Sequence, residues 1–483
     1  MELYDYQNKL ICDIREAIDG GKKSVLAVAP TGAGKTIVFA TIAKMASLKN
    51  RKVLVLVHRR EILHQTMIKL FAIGVNPGQV ASGKPMTRRN KVQVAMVSTL
   101  VNRLHILPKP DLIIIDEAHH AVAGSWKRVF KYYGDVPRIG FTATPERLDG
   151  RGLGEIFDHL CEAPGIYELV KKGRLSYPLM YRPPQNQVLD FHMKRGDYDK
   201  KEQEMQLGRT HVIGDVVKNY KKLLDGLPTI AFCATVRHCQ LVADMFNKSG
   251  YRAEVVSGTM SNSARDKAIA GLGNGSVNII CSCDVISEGV DIPIVAGCIL
   301  LRKTASLAVY LQQVGRALRV YDGKKHAIII DHVGNRYMHG HVLQPRKWSL
   351  DAQKRSKRDK NANPDITECP KCFGVWGGKI RSCPACGYSF VGELKRQKIE
   401  ELKTIASKLQ LDDYESEEGE LIHSALQAQN GKERAKILWR EAYKLQHDAD
   451  GKRKLNRLAT GMGYKDGWSH IVWQKIIQKR GKA

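Results

Sequence analysis

The chain has 483 residues, too many for one hydrophobic core, so its length predicts two to four domains. Hydrophobic residues make up 43% of it, no apolar run is long enough to cross a bilayer, and its start, MELYDYQNKL, lacks the pattern of a signal peptide. The formal net charge of +28 predicts a polyanionic partner, nucleic acid first, with a basic surface that has no specific partner as the alternative.

The chain contains 11 cysteines, and only one group, near residue 370, has the spacing of metal ligands. Such scattered cysteines do not form a disulfide framework and are typical of a reducing compartment. The sequence therefore predicts a cytoplasmic protein that does not act at a membrane.

Residues 1–165 contain short apolar runs that resemble buried strands, separated by helix-like stretches; the runs are SVLAVAP, KVLVLVH, VQVAMVST, LIIIDEA and RIGFTAT. Strands that alternate with helices form parallel sheets, because each helix returns the chain to the edge where the previous strand began. We therefore expect a parallel α/β domain over 1–165.

A second alternation starts at Pro228, with the runs TIAFCAT, RAEVVSG, VNIICSC, AGCILL and HAIIIDH. It predicts a second α/β domain over 228–345, joined to the first by a more polar connector over 166–227. Further along, the sequence predicts a basic linker over 346–366, a cysteine-rich module over 367–392 and a basic, helical C-terminal region over 393–483.

The segment APTGAGKT, residues 29–36, directly follows the first predicted strand and opens a helix. In that context the N–H groups of a glycine-rich loop wrap the phosphates of a nucleotide, a lysine reaches the β- and γ-phosphates, and a hydroxyl binds Mg²⁺. Ala29 replaces the usual first glycine, which its small side chain makes tolerable, and a chance match is the alternative. The predicted nucleotide-binding residues are Thr31, Gly32, Ala33, Gly34, Lys35 and Thr36, with Lys35 also catalytic and Thr36 on Mg²⁺.

The segment LIIIDEAHH ends a predicted strand with two carboxylates, Asp116 and Glu117. They would stand at the carboxyl edge of the sheet, where open α/β folds bind ligands. We expect Asp116 to bind Mg²⁺ and the nucleotide, and Glu117 to orient or activate the attacking water. His119 and His120 could suggest a metal site, but adjacent histidines point apart and no third ligand is near in the sequence.

APTGAGKT, DEAH and TAT (142–144) stand in the order of motifs I, II and III of the superfamily 2 helicases, while CDVISEGVDIP (283–293) and QQVGRALR (312–319) resemble motifs V and VI. Over residues 1 to about 340 the chain thus resembles helicases of the DEAD/DEAH-box type. The resemblance implies two RecA-like lobes, an α/β P-loop fold, with ATP bound between them. It also implies a nucleic-acid-dependent ATPase that converts ATP and water to ADP and phosphate.

The same resemblance implies roles for further residues. Its nucleotide contacts beyond the P-loop are Gln7, Gly289 and Asp291, and its catalytic residues in motif VI are Gln312, Arg316 and Arg319. An arginine that stabilises the transferring phosphoryl group accelerates hydrolysis about 10³–10⁵-fold, whereas two ordinary surface arginines are the alternative. The residues implied to contact nucleic acid, or to couple it to hydrolysis, are Arg59, Ser98, Thr99, Thr142 and Thr144.

Two Cys-x-x-Cys pairs are formed by Cys369, Cys372, Cys383 and Cys386. Four thiolates make a closed tetrahedral Zn²⁺ site without an open position for a catalytic water, so we expect a small structural zinc ribbon, with unliganded cysteines as the alternative. A two-lobed motor followed by such a cluster resembles the RadD family of bacterial DNA-repair helicases and related short phage helicases. That resemblance implies a bacterial cytoplasm or that of a phage-infected cell.

The tail segment GYKDGWSHIVWQKI also resembles those relatives and interleaves aromatic with basic residues. Such a mixture suits single-stranded nucleic acid, with Trp473 as a stacking candidate. The spacing of Trp468, Val472 and Ile476 instead favours a small helical core. Both interpretations remain open, the core for the apolar stripe and the contact surface for the basic side.

The sequence thus predicts an ATP-dependent DNA helicase or translocase that uses ATP, Mg²⁺ and structural Zn²⁺. The expected processes are DNA repair, recombination or replication, and proteins of those processes are further candidate partners. Three alternatives stay open: an RNA helicase, the motor subunit of a restriction-type complex, and a zinc-ribbon nucleic-acid-binding scaffold with a degenerate ATPase. The intact GKT, DEAH and GRALR segments argue against the scaffold, because every catalytic residue type is present.

Overall fold

The computed structural model describes residues 2–84, 89–146, 149–183, 191–194, 196–286, 292–351, 366–378, 380–390, 431–445, 450–461, 464 and 469–474. Gly289 and Asp291, predicted as nucleotide contacts, lie outside the described residues. The chain divides into two compact units, Met1–Ile380 and Arg381–Ala483, and each is described by itself.

The first lobe contains a fully parallel sheet. Its strands are β1 (Ser24–Val28), β2 (Val53–Val57), β3 (Gly78–Val80), β4 (Val92–Met96), β5 (Leu112–Asp116), β6 (Arg138–Thr142) and β7 (His159–Glu162). They lie in the order β3-β4-β2-β5-β6-β1-β7. In β1, Val25 and Ala27 belong to one hydrophobic cluster and Leu26 and Val28 to another, because side chains alternate along a strand. Both faces of the sheet are buried, which explains the unbroken apolar runs.

Helices connect these strands. They are α1 (Asp5–Asp19), α2 (Lys35–Leu48), α3 (Arg60–Ala72), α4 (Val97–Leu100) and α5 (Gly124–Tyr133), with 3₁₀ turns at Leu104–Ile106 and Ala118–His120. Since all strands run in the same direction, their carboxyl ends meet at one edge of the sheet. The P-loop follows β1, the segment VSTL (97–100) follows β4, and the DEAH segment begins at the end of β5. All three therefore lie at that edge.

The second lobe contains a larger sheet. The strands from this part of the chain are β8 (Pro178–Tyr181), β9 (Met193–Lys194), β10 (Asp197–Tyr198), β11 (Thr229–Cys233), β12 (Ala253–Val256), β13 (Ile279–Ser282), β14 (Gly297–Leu301), β15 (Ala327–Asp331), β16 (Ile366–Glu368) and β17 (Gly374–Gly377). Eight of them form one sheet in the order β12-β13-β11-β14-β15-β8-β17-β16, and β9 and β10 pair separately. The predicted fold class, two RecA-like lobes with parallel sheets, is confirmed.

The helices of this part of the chain are α6 (Ile166–Lys171), α7 (Lys200–Leu207), α8 (Thr210–Leu223), α9 (Val236–Lys248), α10 (Asn262–Asn274), α11 (Leu307–Ala317) and α12 (Asn335–His339). Ser306 begins α11 by accepting a hydrogen bond from Val309 N through its side chain. Nearly all of α11 is buried, because it lies between its own sheet and the first lobe.

The second sheet uses strands from outside 228–345. β8 comes from the predicted connector and pairs in parallel with β15, and β17 from the cysteine-rich module pairs antiparallel with β8. The fully buried side chain of Arg336 forms an ion pair with Glu368 of β16, which fixes this hairpin to α12. A strand of four residues shows no readable period, so the sequence alone does not separate β8 from a connector.

The chain returns to the first lobe after the second. Trp348 packs against both hydrophobic clusters of the first sheet, and Leu350 packs against the cluster that contains Leu26. The carbonyl of Leu350 accepts a hydrogen bond from Gly154 N at 2.9 Å. We call residues 346–351 the return strap; they are the start of the predicted basic linker.

The second unit contains a short turn and a small helical core. Residues 381–390 form the turn, in which Ser382 and Ser389 make an isolated antiparallel bridge. Further along lie α13 (Gly431–Lys444) and α14 (Gly451–Gly461). With residues 469–474 they bury Leu438, Ala442, Leu455, Leu458, Ala459 and Val472. Within the described residues, no helix is both long and apolar enough to span a membrane.

Candidate nucleotide-binding and hydrolysis site

The P-loop turns between β1 and α2 at two glycines. Gly32 has φ of +89° and Gly34 has φ of +81°, a conformation that residues with a Cβ rarely adopt. A Cβ on Gly34 would stand 2.4 Å from Gln7 Nε2, and one on Gly32 would stand 2.8 Å from Leu175 Cδ2. The glycines therefore permit both the turn and the close approach of neighbouring residues. The loop leads into the N terminus of α2, where N–H groups are available to phosphate.

Gln7 lies directly on the P-loop. Its Nε2 donates to Ala33 O at 3.0 Å, and its Oε1 accepts from Tyr4 N at 3.0 Å. The hydroxyl of Tyr6 donates to the same Ala33 carbonyl, and the guanidinium of Arg174 lies 3.7 Å from the centre of the Tyr4 ring. Tyr4, Tyr6 and Arg174 were not predicted from the sequence, and only the position of the two tyrosines beside Gln7 could have suggested them.

The acid pair stands at the end of β5. Asp116 is its last residue, and its Oδ1 accepts a hydrogen bond from Glu117 N at 2.9 Å. Glu117 has φ of +51°, which is uncommon for a residue with a side chain. Backbone strain of this kind is found at functional sites, where surrounding contacts hold it in place. Both carboxylates are largely buried, with exposed fractions of 7% and 9%.

His119 links the acid pair to the TAT segment. Its Nδ1 lies 3.4 Å from Glu117 Oε2 and 3.1 Å from Thr142 Oγ1. The Thr142 hydroxyl in turn donates to Thr144 O at 3.0 Å. In the sequence, His119 was considered only as a metal ligand. Because His119 follows β5 and Thr142 ends β6, the local sequence pattern does not predict this contact.

A cleft of about 390 Å³ between the two lobes gathers most of the predicted site residues. The first lobe contributes Gln7, Thr31, Gly32, Ala33, Gly34, Lys35, Thr36, Asp116 and Glu117. The second lobe contributes Arg316 and Arg319 from motif VI. Here α11 approaches the P-loop so closely that a Cβ on Gly315 would lie 2.5 Å from Thr31 Cβ. The cleft therefore has one wall from each lobe.

The electrostatics of the cleft favour an anionic ligand. Burial lowers the pKa of Lys35, and the carboxylates of Glu117 and Asp116 partly oppose that effect. The positive charges of Arg316 and Arg319 lower the same pKa further, which places both close to Lys35. Three cations thus face two carboxylates. A triphosphate would supply the missing negative charge.

Two residues of the cleft fit Mg²⁺. Thr36 and Asp116 both line the cleft. Their hydroxyl and carboxylate groups offer the oxygen ligands that Mg²⁺ prefers beside phosphates. Thr36 stands at the start of α2 and Asp116 at the end of β5, and both share the cleft with Lys35. They would hold the ion, which neutralises phosphate charge when bound.

Other predicted residues lie outside the cleft. Gln312 is on α11 but is buried, with 3% exposed, and does not line the cleft. Ser98 and Thr99 lie in α4 at the carboxyl edge of the first sheet, where Ser98 is exposed. Arg59 Nη1 donates to Asp284 O of the second lobe at 2.9 Å, so Arg59 links the lobes in this conformation.

The four-cysteine group is assembled as the sequence predicts. The sulfur atoms of Cys369, Cys372, Cys383 and Cys386 all lie within 4.8 Å of one another. Around a tetrahedral Zn²⁺ with bonds of about 2.3 Å, sulfurs stand about 3.8 Å apart, so these thiols fit the ion. Within the described part of the chain, no other group of three or more His, Cys, Asp or Glu is close enough to hold a metal.

Trp473 lies on the core of the second unit. It is partly buried beside that core, and a Cβ on Gly451 would lie 2.7 Å from its ring. Val472 is fully part of the core, as the helical spacing suggests. The stacking of Trp473 on nucleic acid stays a prediction.

The fold and the cleft define a P-loop nucleoside triphosphatase with two RecA-like lobes. Residues 1–147 match the family described as Type III restriction enzyme, res subunit, and residues 213–321 match the family described as Helicase conserved C-terminal domain. Over 372 residues the chain is 35% identical to a 51.5 kDa protein of a Lactococcus phage, covering 77% of this chain and 79% of that protein. The chain belongs to the superfamily 2 helicases.

A second relative and a solved structure are also similar to this chain. The chain is 29% identical over 357 residues to IRC3 of Saccharomyces cerevisiae, described as a candidate ATP-dependent helicase; this covers 69% of the chain but 51% of that protein, about half its length. A solved fragment of a candidate HsdR subunit of a type I restriction enzyme from Vibrio vulnificus YJ016 has a TM-score of 0.55 and 21% identity. The match covers 70% of this chain and 66% of the HsdR fragment, and it shows that the two share a fold.

Proposed function

We propose that this helicase-family chain is a motor that hydrolyses ATP and uses closure of its lobes to move along DNA. The observation that carries the proposal is the cleft of about 390 Å³, whose P-loop and acid pair come from one lobe and whose arginines come from the other. A site divided in this way is complete only when the lobes are together. Nucleotide binding therefore favours the closed arrangement, and hydrolysis releases it.

The predicted residues that line the cleft have these roles in the proposed hydrolysis. Lys35 and the N–H groups of the P-loop bind the phosphates, and Thr36 and Asp116 would hold a Mg²⁺ that neutralises part of the phosphate charge. Glu117 orients the water that attacks the γ-phosphorus and accepts its proton, while ADP leaves in line. Arg316 and Arg319 stabilise the charge that develops on the transferring group. The excess of positive charge around Lys35 supports this assignment.

The contacts of His119 support a route from hydrolysis to the strand-binding edge. Thr142 and Thr144 are buried, with 0% and 1% exposed, so they do not contact a nucleic-acid strand themselves in this conformation. They are joined to Glu117 through His119. We therefore assign them to coupling, in which a change at Glu117 alters the turn that follows β6.

Two contacts between the lobes would open and close with each cycle. Arg265 of α10, almost fully buried, forms an ion pair with Glu61 of α3. Arg59, two residues before Glu61, reaches Asp284 O of the other lobe. Both contacts are made by the segment VHRREILHQ, residues 57–65, which resembles a DNA-contacting segment of the superfamily 2 helicases. Their location supports a motor in which strand grip and lobe closure share one surface.

DNA is the proposed track. The net charge of +28 suits any nucleic acid, so it does not separate DNA from RNA. The match of residues 1–147 to a restriction-enzyme family favours DNA. A role in repair, recombination or replication follows only from the resemblance to the RadD family and remains part of this proposal.

The test is ATP hydrolysis by the full chain with single-stranded DNA, forked DNA, duplex DNA or RNA. We expect stimulation by DNA, and stimulation by RNA alone would overturn the proposed track. The Lys35→Ala variant should lose stimulated hydrolysis and keep DNA binding, measured by fluorescence anisotropy. Lys49→Ala, which changes an exposed lysine at the end of the same helix, is the matched control. Retained turnover in Lys35→Ala would refute the motor.

A motor subunit of a restriction-type complex is the second candidate. The family match over residues 1–147 favours it. Such a subunit would need a nuclease-bearing partner. Full stimulation of the isolated chain by DNA, without any partner, would argue against this candidate.

A further inference from the structure

The end of α11, the helix that carries Arg316, is closed by a lysine from the following turn. Lys324 Nζ donates to Val295 O at 2.7 Å, to Ala317 O and to Arg319 O. An ammonium has three N–H donors and no acceptor. All three donors of Lys324 therefore go to backbone carbonyls, and those carbonyls come from two separate segments.

This position suits a cation for two reasons. The last carbonyls of a helix have no partner within the helix, and the C-terminal end of a helix carries partial negative charge. The first segment held by Lys324 is this helix end. The second contains Val295, which stands two residues after the motif V segment. One side chain thus joins the ends of motifs V and VI.

The same turn is held from its other side. Ser176 N donates to Leu318 O at 2.7 Å, and Ser176 Oγ donates to Arg319 O at 3.1 Å. The carbonyl of Arg319 therefore accepts from both Ser176 and Lys324. The backbone that follows Arg316 and carries Arg319 is fixed between two donors, and Lys324 supplies the charged one.

We propose that Lys324 is a positioning residue for ATP hydrolysis, which fixes the end of α11 so that Arg316 and Arg319 stay directed toward the phosphates. It does not line the cleft itself, whereas both arginines do. The inference rests on the proposed function, because it assigns a support to the arginines of that site. The sequence offers no signal for it, since Lys324 and Lys325 are adjacent lysines of the same turn.

The protonation of Lys324 gives the inference a signature. Burial lowers the pKa of Lys324 to about 8, and the positive charge of Arg319 contributes to the same direction. The protonated ammonium is the form that donates all three hydrogen bonds. Its support is therefore complete below pH 8 and is lost as the pH rises through that value. Arg319 is the charged group that acts on the Lys324 ammonium. The carbonyls of Val295 and Ala317 are neutral acceptors of its hydrogen bonds.

The main variant is Lys324→Met, which keeps an unbranched apolar stem and removes the charge and the donors. We expect kcat for DNA-stimulated ATP hydrolysis to fall about 10- to 100-fold, because a displacement of about 1 Å at a catalytic group costs up to about 10²-fold. KM for ATP should change far less. Lys325→Met, which removes the same charge from the exposed neighbouring lysine, should keep kcat.

A second variant, Lys324→Arg, keeps the charge at every accessible pH, since a guanidinium does not deprotonate. In the wild type we expect kcat to decline as the pH rises through about 8, and in Lys324→Arg that decline should become smaller or move to higher pH. The pKa of Lys35 is also lowered, but its effect is common to both proteins. The comparison between them therefore isolates Lys324.

Circular dichroism first establishes that each variant is folded. Wild-type kcat in folded Lys324→Met would overturn the inference, and so would an unchanged alkaline decline in Lys324→Arg. If Lys324→Met does not fold, the pH profile of Lys324→Arg decides. If the wild type shows no DNA-stimulated hydrolysis, the proposed function falls and this inference falls with it. DNA-stimulated hydrolysis in the wild type, together with the same kcat in folded Lys324→Met, refutes the inference alone.

Discussion

The two lobes of the first unit assemble their sheets in different ways. The first sheet takes all of its strands from one continuous stretch, Ser24 to Glu162. The second takes strands from Pro178 to Gly377, including β8 from before the lobe and the β16–β17 hairpin from after it. The first sheet can form from local crossovers, whereas the second is complete only after distant segments have joined.

The residues that line the cleft are also divided between the two lobes. The P-loop and the acid pair belong to the first lobe, and the second adds the motif VI arginines Arg316 and Arg319 to the cleft. We therefore expect changes at the cleft to affect turnover whichever lobe they are in. Changes at the outer strands of the second sheet should instead affect stability. The predictions below test this division, from the largest effect to the smallest.

The largest effect is expected for Arg316→Ala. Removal of an arginine that stabilises the transferring phosphoryl group should lower kcat by about 10³-fold or more, with a smaller change in ATP affinity. Steady-state hydrolysis and binding of a fluorescent ATP analogue measure the two effects. The control is Arg237→Ala, at a largely exposed arginine of the same lobe. An unchanged kcat in Arg316→Ala would show that Arg316 does not contribute to hydrolysis, and an equal loss in both variants would show that the effect is not specific to the cleft.

Glu117→Gln should follow. The amide keeps the size of the side chain but accepts no proton, so single-turnover hydrolysis should slow by about 10²–10⁴-fold. ATP binding should persist, because Lys35 and the P-loop remain. A variant that hydrolyses ATP at the wild-type rate would remove Glu117 from the reaction.

Glu368→Ala tests the assembled edge of the second sheet. It leaves the charge of fully buried Arg336 without its carboxylate, which should lower the free energy of unfolding by about 3 kcal/mol. In the first lobe, Glu155→Ala breaks the ion pair with Lys127, whose partners are both about half exposed, and should cost less than about 1 kcal/mol. Urea denaturation compares them. Equal costs would contradict the distinction between the lobes.

Metal removal should have the smallest effect on turnover. We expect one Zn²⁺ per chain by elemental analysis, and its loss in Cys372→Ser. Hydrolysis should decline less than in either cleft variant, because the cluster is not part of the cleft lining. Loss of all hydrolysis with retained folding would mean that the cysteine cluster takes part in the reaction.

The sequence predicts best what depends on short-range pattern. The strands of the first lobe are continuous apolar runs, and Lys35, Asp116 and Glu117 are recognisable because motif spacing and strand ends coincide. β8 and the β16–β17 hairpin are too short to show a period, so their place in the second sheet could not be predicted.

Contacts between segments that are far apart in the sequence could not be predicted either. His119 meets Thr142, and Lys324 meets Val295, only because separate elements fold against each other. Arg59 shows the opposite case: its motif resemblance implied contact with nucleic acid, and the structure also gives it a partner in the second lobe. Side-chain identity restricts what such residues can bind, but tertiary structure decides which partner they meet.

The return strap has a mechanical consequence. The chain enters the second lobe after Ser176 and leaves it through residues 346–351. There the carbonyl of Leu350 accepts a hydrogen bond from Gly154 N of the first lobe. A body attached at one point can turn in any direction, but a body attached at two points turns about the line between them. Attachment on both sides therefore limits the directions in which the second lobe can turn relative to the first. In the motor proposed above, each cycle of ATP would then repeat a similar movement of the two lobes.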